Sequence, residues 1–166
     1  MKIVVAIDFS DATGPMMEVV AKLSTAPATE LCLVHVIEPA PAFVGDLPTS
    51  PVDFGYVAAP QIIRDQLAKD YKKEHMALQK LAEDLRNQGI KATSLMVQGP
   101  PAEVLLMEAE KLAADMIIVG SHGHGSLYHL LVGSVSEGVL HKAQCPVLVV
   151  PTHNRTMGSG KQTAPK

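Results

Sequence analysis

Five short runs of apolar residues, separated by segments with helical periodicity, limit what this chain can fold into. They are KIVVAI at 2–7, LCLVHVI at 31–37, KATSLMV at 91–97, MIIV at 116–119 and VLVV at 147–150. A strand with one wet face alternates apolar with polar residues, whereas most of these runs are apolar throughout and demand cover on both faces. Between the first two, Met16, Val19, Val20 and Leu23 stand at i, i+3, i+4 and i+7 and share one helix face. A longer helix is predicted over 61–88, with Leu67, Tyr71, Leu78, Leu81 and Leu85 inward. Leu105, Ala109 and Leu112 give a third helix its inner face, and a fourth is predicted over 135–143. Strand alternating with helix, with strands buried on both sides, predicts an α/β domain with a doubly wound five-stranded parallel sheet.

Turn chemistry fits these boundaries. Pro15 is tolerable only in the first turn of its helix, and Ser10 or Asp11 is available to cap it. Gly89 suits the C′ position of the long helix, and Gly99-Pro100-Pro101 leads into the third. Pro39, Pro41, Pro48, Pro51 and Pro60 interrupt 39–60, which is expected to be a mobile surface loop. At roughly 20 residues it exceeds an ordinary connection and has the length of a lid or binding loop. The polar tail 152–166 is expected to be flexible, leaving a single domain over 1–151. Aromatic residues are only 4% with no Trp, so Val, Ile, Leu, Met and Ala must build the core.

Several function classes are disfavoured. Net charge is −3 with no block of Lys or Arg, which argues against a nucleic-acid partner. No apolar run reaches the ~18 residues of a membrane helix. The segment MKIVVAIDFS lacks the apolar core of a signal peptide, so a cytoplasmic location is expected. Cys32 and Cys145 lie in or beside apolar runs without a CxxC, which reads as small buried hydrophobes.

The chemistry concentrates in GSHGHGSLYHLLVGSVS at 120–136, directly after the fourth strand. Ligands of open α/β sheets sit beyond the carboxyl ends of the strands, near the point where strand order reverses. Gly120, Gly123, Gly125 and Gly133 allow close backbone approach, and free N–H groups at the following helix start suit a phosphate. Ser134 and Glu137 also fit a capping box that would satisfy the helix end internally. There is no GxxxxGK[ST], and GxGxxG fails because Tyr128 stands where the last glycine is needed. His122, His124 and His129 form no set with cysteine or a nearby carboxylate, so a metal site is not specified. His35, inside an apolar run, reads as a core histidine with a satisfied ring. No GxSxG elbow is present, and no catalytic residue is singled out. Asp8 ends the first strand and can accept from a ribose hydroxyl, help hold a magnesium ion, or bond its own loop at Ser10.

The spacing Gly120-x2-Gly123-x9-Gly133-Ser134 resembles the G-x2-G-x9-G-[ST] pattern of the ATP-binding branch of the universal stress protein family. VVAIDFSDAT, LVHVIE, IIVGSHG, LLVGSVSEGVL and CPVLVVP are similar to the family as well, over residues 1–151. The resemblance implies sheet order 3-2-1-4-5 in an adenine nucleotide alpha-hydrolase-like arrangement, and a homodimer through Val147–Val150. It implies adenine near residues 6–8, from Ala6 to Asp8, and Val36, ribose by Asp8 and Gly120, and Val119 among the cofactor-binding residues. Phosphates would lie over Gly123, His124, Gly133, Ser134, Val135 and Ser136. The ligand would be ATP, or ADP or AMP, with Mg or Mn as a possible companion. The implied role is a stress-response sensor or regulator acting through protein partners that the sequence does not name. A slow ATPase or nucleotidyl-transfer enzyme, and an interaction module with an empty site, are the alternatives. No Lys or Arg occurs between Lys111 and Lys142, where members often carry a basic residue. Phosphate charge would then be met by amides, hydroxyls, a metal ion or protonated His124 and His129, with affinity expected to rise toward pH 6.

Overall fold

The computed structural model describes residues 1–24, 28–38, 60–121 and 133–151; side chains of 60–63 fall outside that description. The expected 39–60 loop, apart from Pro60, and the 152–166 tail lie outside the described residues. Five parallel strands, β1 (Lys2–Ala6), β2 (Glu30–Ile37), β3 (Lys91–Gln98), β4 (Met116–Gly120) and β5 (Val147–Val150), form one sheet in the order β3-β2-β1-β4-β5. Helices α1 (Thr13–Leu23), α2 (Pro60–Asn87), α3 (Pro101–Lys111) and α4 (Ser134–Lys142) connect them. Pro60 therefore opens α2 rather than closing the preceding loop, a position that suits proline because its missing N–H would have no partner.

The apolar runs explain the two layers of cover. Ile3, Val5, Leu31, Leu33 and Ile118 face one way, against Met16 and Val20 of α1 and Leu78, Ala82 and Leu85 of α2. Val4, Val34, Ile117 and Val119 face the other way, against Leu105 and Ala109 of α3 and Val139 of α4. Gly138 lets α3 and α4 approach closely: a Cβ there would lie 3.0 Å from that of Ala102. None of the described helices is long and apolar enough to cross a membrane.

Helix ends follow the turn residues in one case and defy them in another. At the end of α2, Gly89 N–H donates to Arg86 O at 2.9 Å and Ile90 N–H to Leu85 O at 3.1 Å, with Gly89 at φ +81°. That is a Schellman closure, with Ile90 packed on the same core as Leu85. The end of α3 repeats it: Ala113 N–H donates to Glu110 O at 2.9 Å and Ala114 N–H to Ala109 O at 2.8 Å. Here the left-handed residue is Ala113, at φ +48°, where a Cβ is unfavourable.

Expectations for α1 need correcting. Neither Ser10 nor Asp11 is its N-cap; Ala12 is, with no side-chain cap. Ser10 acts earlier in the turn, its Oγ accepting from Ala12 N–H at 3.3 Å and its carbonyl from Thr13 N–H at 3.0 Å. The chain turns before the helix begins, and the serine serves the turn.

Two substitutions test these backbone assignments. Ala113→Gly is expected to stabilise the fold by about 0.5–1 kcal/mol, since relief of the left-handed strain exceeds the added entropy of the unfolded chain. Gly99→Ala is expected to cost about 1–3 kcal/mol, because Gly99 sits at φ +151° and a Cβ would meet Val104 Cγ2 at 2.7 Å. Urea denaturation of both variants checks the signs.

Candidate nucleotide site

The chain order turns around between β1 and β4: connections after β1 run to β2 and β3, while β4 and β5 lie on its other side. The two strands pair in parallel through Ile3–Met116, Val4–Ile117 and Val5–Ile118, so Asp8 and Gly120 leave the same end of the sheet side by side. This is the topological position for a ligand in an open α/β sheet. Ala6 and Val36, half-buried, share an apolar cluster with Val119 and Val135 on the α3–α4 face. The structure thus brings these four sequence-predicted positions into one cluster, with Asp8 and Gly120 at its edge.

Asp8 is held by its own turn. Its Oδ1 accepts from Ser10 N–H at 3.0 Å and from Ser10 Oγ–H at 2.7 Å, while Oδ2 accepts no hydrogen bond from the described residues. The loop-bonding reading of Asp8 is therefore observed, and it leaves one carboxylate oxygen for a further donor. Phe9, the next residue, adopts φ +56°, an unusual conformation for a bulky side chain. Thr13 Oγ1, in the first turn of α1, is buried without a hydrogen-bond partner. Neither feature has a signal in the sequence, because both come from the path of the turn rather than from a residue pattern.

The second wall is the start of α4. Gly133 is the N-cap, at φ −71° and ψ 156°, and no side chain caps the helix. The capping box expected from Ser134 and Glu137 does not form. Ser134 is already the first helical residue, which shifts the frame by one and leaves Glu137 N–H to donate to Gly133 O at 2.9 Å. The amides of Ser134, Val135 and Ser136 consequently head a helix without a side-chain cap, the arrangement that attracts an anion. The Ser136 hydroxyl is turned inward: it donates to Gly120 O at 2.5 Å and ties α4 to the end of β4. Ser136 would meet an anion through its N–H rather than its Oγ.

The ends of the glycine-rich stretch meet at one point. Ser121 N–H donates to Val150 O at 2.8 Å, and Gly133 N–H donates to Ser121 O at 2.6 Å. Gly123 and His124, with His122, Gly125 and His129, lie outside the described residues. Among the described residues no group of three His, Cys, Asp or Glu side chains could hold a metal ion.

His35 is buried, as its apolar surroundings predict. Its Nδ1 lies 2.7 Å from Ile7 O and its Nε2 3.4 Å from Glu74 Oε2. A cavity of about 490 Å³ lies at the opposite end of the sheet, lined by Lys2, Glu30, Cys32, Lys91 and Thr93 among others. That end carries the amino termini of the strands and none of the glycine-rich chemistry, so topology favours the carboxyl end for the ligand.

The universal stress protein family model matches residues 1–151. The chain belongs to the universal stress protein family. It is 31% identical over 150 residues to the universal stress protein YxiE of Bacillus subtilis, covering 90% of this chain and 97% of the relative. It is also 31% identical over 158 residues to the universal stress protein MJ0577 of Methanocaldococcus jannaschii, covering 92% and 96%. The solved structure of MJ0577 superposes with TM-score 0.71 at 29% identity, over 92% of this chain and 96% of that one. A universal stress protein in complex with cAMP superposes at TM-score 0.63 and 19% identity, covering 92% and 98%. The dAMP complex of a universal stress protein from Archaeoglobus fulgidus superposes at 0.60 and 21%, covering 90% and 97%. At those identities the last two establish the shared fold, including the sheet order expected for the family.

The two cysteines of this universal stress protein are half-buried, rather than buried as the apolar runs suggest. Burial pushes the Cys32 thiol up, partly offset by a hydrogen bond with Thr93, with the charge of Glu108 adding to the rise. Burial likewise raises Cys145, against a backbone hydrogen bond and with a contribution from Asp115. A raised thiol holds less thiolate near neutrality. Alkylation by iodoacetamide at pH 8 is expected to be slower than for free cysteine and still accelerating above pH 9; a rate matching free cysteine would contradict the assignment.

Proposed function

We propose that this universal stress protein binds an adenine nucleotide, with ATP as the leading ligand, across the carboxyl ends of β1 and β4. The observation that carries the reading is the α4 start: an N-cap with no side chain, beside a β1 turn that holds an aspartate with one oxygen unengaged. In this reading adenine packs on Ala6 and Val36, and the ribose hydroxyls donate to Asp8 near Val119 and Gly120. The amides of Ser134, Val135 and Ser136, with Gly133, receive phosphate oxygens, and Gly123 and His124 complete the phosphate side. The family pattern and the bound cAMP and dAMP in two members of the same fold support an adenine nucleotide over other anions. A divalent cation, Mg or Mn, would accompany a triphosphate, because the proposed described contacts supply no cationic side chain.

The nucleotide would act as a signal rather than as a substrate consumed in bulk. Its occupancy would be read by a homodimer and by protein partners in the stress response. The dimer reading rests on β5, the edge strand of the sheet, whose Val147, Leu148 and Val149 are half-buried. An apolar edge strand is a template for pairing with a second copy.

Denaturing protein purified without added nucleotide and separating what is released tests occupancy directly; ATP or ADP near one per chain is expected. For nucleotide-free protein, titration with Mg-ATP is expected to show one site per chain. Asp8→Asn keeps the Oδ1 acceptor for Ser10 and replaces the free oxygen by a donor, so affinity is expected to fall about tenfold. Unchanged affinity would remove Asp8 from the site, and absence of binding by the unaltered protein would overturn the nucleotide reading. Light scattering is expected to give the mass of a dimer; a monomer would overturn the β5 interface.

A further inference from the structure

His35 touches the β1 turn on both sides of Asp8. Its Nδ1 lies 2.7 Å from the carbonyl of Ile7, the residue before Asp8. Its ring packs on Phe9, the residue after, with centroids 4.8 Å apart at an interplanar angle of 58°. Phe9 is the residue at φ +56°, so the imidazole braces the strained step of the turn. The other ring nitrogen, Nε2, lies 3.4 Å from Glu74 Oε2 on α2. One buried side chain therefore connects the turn that holds Asp8 to the helix that covers the sheet.

The hydrogen-bond chemistry makes that connection depend on a proton. A carbonyl oxygen only accepts, so Nδ1 carries hydrogen whatever the charge on the ring. In neutral imidazole Nε2 then has a lone pair, which faces the carboxylate of Glu74 with no donor between them. Protonation at Nε2 replaces that repulsion by a charge-assisted hydrogen bond. Among the described residues, Glu74 is the one charged side chain within ion-pair range of the ring. Opposite His35 on β3 stands Met96, Asp8 directs its Oδ1 to Ser10, and Asp70, one turn earlier on α2, takes Gln66.

We propose that His35 is the positioning residue for Asp8, and that the His35–Glu74 pair makes adenine-nucleotide affinity rise on protonation of the imidazole. The proposal rests on the nucleotide reading above and assigns that site a regulator, the proton, delivered through α2 rather than through the phosphate loop. The imidazolium holds the Ile7 carbonyl, the Phe9 ring and Glu74 together, fixing the turn in which Asp8 meets the ribose. Without the Nε2 proton the ring keeps Ile7 and Phe9 but loses Glu74, so the side chain that braces the turn is no longer anchored to α2.

The test compares ATP binding by the full chain and by Glu74→Gln between pH 6 and pH 8.5. Glu74 is 40% exposed, so the isosteric change is compatible with folding, which circular dichroism verifies. A glutamine amide can donate to unprotonated Nε2, so in the variant the connection closes without a proton. The unaltered protein is expected to lose at least about fivefold in affinity on going to pH 8.5, and E74Q to lose less by about that factor. Titration of the phosphate and of His122, His124 and His129 contributes to both proteins alike and cancels in the comparison. By reciprocity of linkage, saturation with ATP is expected to move the His35 imidazole midpoint, followed by NMR, to higher pH in the unaltered protein. A merely structural histidine would give matching pH profiles and a midpoint indifferent to ATP, and either result would overturn the proposal while leaving nucleotide binding intact. Failure of the unaltered protein to bind ATP at any pH would overturn both readings together.

Discussion

Burial of β1 on both faces is the condition from which the remaining architecture follows. Ile3, Val4 and Val5 are each 1% exposed or less, although successive residues point to opposite sides of the sheet. Such a strand is stable only between two layers, so α1 and α2 must lie on one side and α3 and α4 on the other. Placing it at the centre also forces the chain to build outward in two directions, first to β2 and β3 and then to β4 and β5. The reversal leaves the β1 and β4 ends adjacent. The crevice proposed for a nucleotide is thus a by-product of how the central strand is covered.

Most of the scaffold was legible because its signals are local. The apolar runs marked all five strands to within a residue or so, and Gly89 announced the end of α2 with the backbone conformation that only glycine takes freely. Ala113 shows the limit of such reading: the same closure forms at the end of α3 without a glycine, because packing imposes the conformation and carries its strain. The helix starts were less legible. Ser10 and Ser134 both have the chemistry of an N-cap, yet the caps are Ala12 and Gly133: Ser10 stands in the turn before α1, and Ser134 is already inside α4. Cap identity depends on where the dihedral angles change, and neighbouring residues do not fix that to a single position.

The candidate site divides along the same line. Ala6, Asp8, Val36, Val119, Gly120, Gly133, Ser134, Val135 and Ser136 come from ends of regular elements, and the fold gathers them at one end of the sheet. What sequence could not show was the support behind them. Phe9, Thr13 and Glu74 are ordinary residues in the one-dimensional pattern, and Glu74 is one of many charges along α2. The relevance of Phe9 and Glu74 arises from contacts 26 and 39 positions apart in the chain, both through His35. His35 was identified as a core residue with a satisfied ring, which it is on the Nδ1 side; the partner on the other side is what gives it a second part to play.

Ser121 and Gly133 are bonded to each other at 2.6 Å, and each adjoins a regular element, Ser121 following β4 and Gly133 preceding α4. The eleven intervening residues therefore begin and end at a staple that the scaffold maintains by itself. The conformational entropy of bringing the two ends together is met by folding and not by ligand capture. Both bonds of the staple, Ser121 N–H to Val150 O and Gly133 N–H to Ser121 O, are made by main-chain atoms. For a lineage, a staple of main-chain atoms is indifferent to which side chains stand at its two ends, and it outlasts substitutions there.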